Sequence, residues 1–133
     1  MAALTYHPDI IDSCPPADAV PAVGPIYRKI AGKTAVPEDF DSDVEAKKTN
    51  ADHADCECWG CSIWCDEDAV ALALDLFPYW KKKHIVVGTP TDQHGVVKHT
   101  PSGPQPNHYT FWRAFGIGLP GKFVKYCGPE EGK

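Results

Sequence analysis

The chain is 133 residues long, with 43% hydrophobic and 23% charged side chains, which suits one ordinary globular core. No stretch approaches the roughly 18 apolar residues of a membrane span, and the opening Met1 to Asp9 has neither the basic start nor the apolar run of a secretory signal. A formal charge of −5 argues against an extended nucleic-acid coat but leaves room for a local anion site.

That charge is unevenly spread. Residues 1–58 carry five basic and eleven acidic side chains, whereas residues 59–133 carry eight and seven. Within 69–127 seven cations face only Asp75 and Asp92, and four of the six histidines lie there. Without an export signal the expected location is cytoplasmic, where the six cysteines stay reduced and form no disulfides.

Residues 1–25 are interrupted by Pro8, Pro15, Pro16, Pro21 and Pro25, so an irregular Pro-rich arm is expected. Ile26 to Ile30 alternates apolar with polar and predicts a first strand. Pro37 at a first helical position, with Phe40 and Val44 four apart, predicts a short helix between Pro37 and Lys48. Gly60 to Cys65 reads as a buried strand. Asp66 is then a natural N-cap, with Glu67 and Asp68 on the positive end of the helix dipole. Val70, Leu72, Leu74, Leu76 and Phe77 spread apolar surface past half the circumference, which predicts a largely buried helix ended by Pro78. His84 to Gly88, Gly95 to His99, His108 to Phe115 and Phe123 to Cys127 read as strands with short, antiparallel connections. The expected fold is therefore α+β, with one buried helix on a small mixed or antiparallel sheet. The domain spans 26–127, and 128–133 form a polar tail.

Cys56, Cys58, Cys61 and Cys65 put four thiols within ten residues, and zinc is the metal such a set would hold. On a helix, Cys58, Cys61 and Cys65 share a face. On a strand, Cys61 and Cys65 sit about 13 Å apart at roughly 3.3 Å per residue, too far for one ion. The strand character of Gly60 to Cys65 favours packed, inert thiols over a metal site.

A second cluster surrounds the loop 100–107. If the flanking strands form a hairpin, His99 and His108 become neighbours at its base, with Thr110, Lys98 and Arg113 close by. Imidazole, hydroxyl and cationic groups of this kind suit an anion. Gly-x-Ser-x-Gly and a local Cys–His pair are both absent, so nothing local points to a nucleophilic hydrolase.

Arg28 on a first strand, Ser62 on a later strand and His108-x-Thr110 resemble elements of ADP-ribosyltransferase-type NAD-binding folds. The resemblance implies that the early arginine and the strand serine hold a dinucleotide. It has no clear counterpart for a catalytic glutamate, since Glu130 and Glu131 lie in the tail. The leading expectation is a non-catalytic binding domain whose His/Lys/Arg-lined site takes a phosphate-bearing ligand, a nucleotide or an anionic protein partner. A nucleotide- or NAD-using transferase of toxin type is the enzymatic alternative, and a zinc-stabilised interaction module is a third.

Overall fold

A computed structural model describes residues 4–119, 121 and 123–127. Among them the chain forms seven strands and one α-helix: β1 (Val20–Pro21), β2 (Ile26–Ile30), β3 (Cys61–Ile63), α1 (Glu67–Leu76), β4 (His84–Gly88), β5 (Gly95–His99), β6 (Tyr109–Arg113) and β7 (Phe123–Cys127). Two antiparallel sheets result, in the orders β1-β5-β6-β3 and β2-β4-β7. They touch at one backbone bridge, where Tyr27 and Trp64 exchange hydrogen bonds of 2.8 and 3.0 Å. The protein is thus a sheet-dominated α+β fold. Among the described residues no helix is long and apolar enough to cross a membrane.

The period of two along each strand sorts side chains into layers. Ile26, Ile30, Val86 and Phe123 from one sheet meet Cys61, Ile63, Val97 and Phe111 from the other, forming the inter-sheet core. On the opposite face of the three-stranded sheet, Tyr27 and Ile85 pack with Trp64 and with Ala69, Val70 and Ala73 of α1. On the opposite face of the four-stranded sheet, Trp112 packs with Val44 and Trp59, and Tyr6, Ile10, Ile11 and Ala19 lie against them. Strand β6 is consequently covered on both sides, with Thr110, Phe111 and Trp112 all buried. Gly95, which opens β5, has φ +155°, and a Cβ there would collide with the Trp112 carbonyl oxygen.

Residues 4–25 are irregular apart from β1, yet they are fastened to the body. The Phe115 N–H donates to the Thr5 carbonyl at 2.7 Å, and Ala22 N–H donates to that of Gly95 at 3.1 Å. A disulfide joins Cys14 to Cys56 across 42 positions. This corrects the expectation of six reduced thiols: the fold of the arm brings together two cysteines that no local spacing relates.

Two other expectations change. The segment after Pro37 gives only a single 3-10 turn, Pro37–Phe40, whose buried Phe40 anchors it. The helix begins where Asp66 predicts, its carboxylate accepting from the Ala69 N–H at 2.7 Å. It buries one face rather than most of its circumference: Leu72 and Leu74 are half-buried and Leu76 is exposed. One sheet face cannot cover more of a helix than the stripe that touches it. The expected polar tail, 128–133, lies outside the described residues.

Candidate functional site

Pairing of β5 with β6 sets His99 opposite Tyr109, and the Thr100 N–H donates to the His108 carbonyl one step beyond. Neighbouring positions on a strand point to opposite faces. His99 therefore shares the Tyr109 face, its ring 5.0 Å from the tyrosine ring and one nitrogen bonded to the Pro106 carbonyl. His108 lies on the other face with Thr110. The hairpin base does not bring the two imidazoles together, which corrects the sequence expectation.

His108, immediately before β6, instead reaches to the neighbouring β3. Its Nδ1 lies 2.8 Å from the Thr100 carbonyl and 3.1 Å from Thr100 Oγ1, and its Nε2 lies 2.9 Å from Ser62 Oγ. Thr100 Oγ1 is in turn 2.7 Å from Thr110 Oγ1, both buried. A carbonyl oxygen can only accept, so the neutral ring carries its proton on Nδ1 and presents a lone pair at Nε2 to Ser62. The β3–β6 pairing, with Ser62 opposite Thr110, makes this chain of contacts possible.

Arg28 joins the same chain from the second sheet. Its Nη1 donates to the Ser62 carbonyl at 2.7 Å and its Nε to the Asp39 carbonyl at 2.9 Å. Arg28, Ser62 and His108, far apart in sequence, are thus linked. The other predicted cations are committed elsewhere. Lys98 pairs with Asp18 at 3.1 Å, and Arg113 with Asp41 at 3.1 Å while also donating to the Pro37 carbonyl.

Sequence reasoning missed a groove of about 390 Å³ beside Arg28. Lys29, Lys48 and Lys83 line it together with Glu38, Asp39 and Asp41. The acids are largely engaged: the Asp39 carboxylate accepts from the Ala31 and Val36 amides, and Asp41 is held by Arg113. Lys48 pairs with Asp43. Among the described residues no carboxylate pairs with Arg28, Lys29 or Lys83. Lys29 Nζ sits 3.9 Å from the centre of the Trp80 ring. Burial, reinforced by the like charges of Arg28, Lys48 and Lys83, holds its ammonium down at about 8. Arg28 stood among the sequence candidates, but nothing there signalled that β2 and the turn before β4 set Lys29 and Lys83 beside it.

The four clustered cysteines lie in different surroundings. Cys56 is bonded to Cys14, Cys61 is buried in the inter-sheet core, and Cys58 packs on the arm side of the four-stranded sheet. Burial pushes the Cys61 thiol up, and burial with the Asp66 charge pushes Cys65 up to about 11, so neither offers a ready thiolate. Among the described residues no three His, Cys, Asp or Glu side chains converge as a metal requires. Comparison with family models, with curated proteins and with solved structures finds no match to this chain.

Proposed function

We propose that the protein is a binding domain for a small phosphate-bearing ligand, held in the groove between Arg28, Lys29, Lys48 and Lys83. The carrying observation is a groove lined by four cations, of which Arg28, Lys29 and Lys83 have no carboxylate partner among the described residues. A phosphate group would accept hydrogen bonds from these unpaired cations, and about 390 Å³ lies within the usual size of small-ligand clefts. Calorimetric titration with inorganic pyrophosphate at low salt tests the reading. Binding should weaken as salt rises, because an exposed site is screened within roughly 8–10 Å. It should also weaken above about pH 8, where Lys29 loses its proton. Lys83→Ala, at an exposed position, should lower affinity roughly 10-fold or more, as expected for a charge-assisted hydrogen bond. Affinity unchanged from the unaltered protein in both Lys83→Ala and Lys29→Gln, or no binding at pH 7, would refute it.

A second reading, the nucleotide-using transferase, draws on one observation: Arg28, Ser62 and His108, which carry the resemblance to ADP-ribosyltransferase-type folds, are joined by contacts of 2.7 and 2.9 Å. Glu130 and Glu131 lie outside the described residues.

A further inference from the structure

We infer that Ser62 is a nucleophile activated by His108, able to take an acyl group from a carboxylic ester. This inference does not rest on the anion groove. It stands on the geometry that nucleophilic serines require: a hydroxyl within hydrogen-bond reach of a base, and a base held by a third group. Ser62 Oγ is 2.9 Å from His108 Nε2, and His108 Nδ1 is 2.8 Å from the Thr100 carbonyl. The carbonyl fixes the tautomer, so the lone pair that must accept the serine proton already faces it. Thr100 is the positioning residue, and its own side chain is immobilised by the buried 2.7 Å contact with Thr110. Arg28 fixes the other partner by donating to the Ser62 carbonyl at 2.7 Å.

Exposure separates this arrangement from an ordinary packing contact. Thr100 and Thr110 are buried and His108 is half-buried, whereas Ser62 is exposed. The polar chain thus runs from the interior and ends on a hydroxyl that an ester can reach. In the reaction the Ser62 Oγ–H proton passes to His108 Nε2 as Oγ bonds to the ester carbonyl carbon. The carbon–oxygen bond to the leaving alcohol then breaks, and that alcohol takes the proton from Nε2. Water, deprotonated by the same Nε2, releases the acid and restores Ser62.

The test is labelling of the intact protein with a fluorophosphonate, in which the Ser62 Oγ–phosphorus bond forms and fluoride leaves, followed by peptide mapping. Ser62 should react about 100-fold faster than Ser13 or Ser102, the low end of what a general base contributes. Ser62→Ala should remove the label while the near-UV circular dichroism stays unchanged, and His108→Gln should slow it by a similar factor. Should His108→Gln not fold, the pH profile of the unaltered protein decides. Labelling followed from about pH 5 to 8 should accelerate, because only a neutral imidazole can accept the serine proton. A label spread evenly over the exposed serines, or a Ser62 rate flat across that range, would overturn the inference.

Discussion

Replacing Trp112 with alanine is expected to cost about 3–5 kcal/mol, the range for removing a buried tryptophan. The side chain is 1% exposed and holds together the cluster under the arm, touching neighbours around Val44 and Trp59. Its indole Nε1 also donates to the Cys56 carbonyl at 2.9 Å, so truncation leaves a half-buried acceptor without that donor. Against a total stability of roughly 5–15 kcal/mol, such a loss brings the domain close to unfolding at room temperature. Urea denaturation measures it. Leu76→Ala on the exposed side of α1 is the control and should change stability by no more than about 0.5 kcal/mol. Equal effects at the two positions would mean that the arm is not packed on β6.

Opening the Cys14–Cys56 disulfide should cost about 3–4 kcal/mol, because it closes a loop spanning 42 positions and so restricts the unfolded chain. The loss should appear first as loosening of residues 4–25 and a change in the fluorescence of Trp59 and Trp112, which the arm covers. The pairing itself is checked by alkylating the denatured protein without a reductant. Four thiols, Cys58, Cys61, Cys65 and Cys127, should react, and all six should react only after reduction. In a reducing cytosol the pair would stay open and the arm would be held only by its packing and backbone hydrogen bonds.

Local features were well written in the sequence. β2, β4, β5 and β7 begin and end where the sequence predicts strands, and Asp66 marks the helix start, because each depends on near neighbours. What depends on distant neighbours was not legible. The hairpin was foreseen, yet His99 and His108 fall on opposite faces, since an offset of one residue across a strand reverses the side chain. Leu72 and Leu76 look like core from their spacing, but how much of a helix is covered is decided by the surface it meets. Ser62 and His108 were grouped in the sequence only by a family resemblance. Their contact needed the β3–β6 pairing across 46 positions, which no periodicity encodes. Lys29 gave no signal at all, because its environment is assembled from Trp80, Lys48 and Lys83 on three other segments.

Lys29 also provides the most direct test of the anion groove. With its folded-state proton affinity lowered, the unfolded chain binds the Lys29 proton more tightly, so this group's contribution to stability should rise with pH from about 8 towards 10.5. A phosphate ligand reverses the local field. The measurement is an NMR titration of the Lys29 side chain, selectively labelled, with and without saturating pyrophosphate. The account predicts a midpoint near 8 in the free protein and a clear upward shift when the anion is bound, with a fraction of a proton taken up on binding that rises towards one as pH increases from about 8 to 9. A Lys29 midpoint that stays in place under saturating pyrophosphate would contradict the assignment of this groove as the binding site.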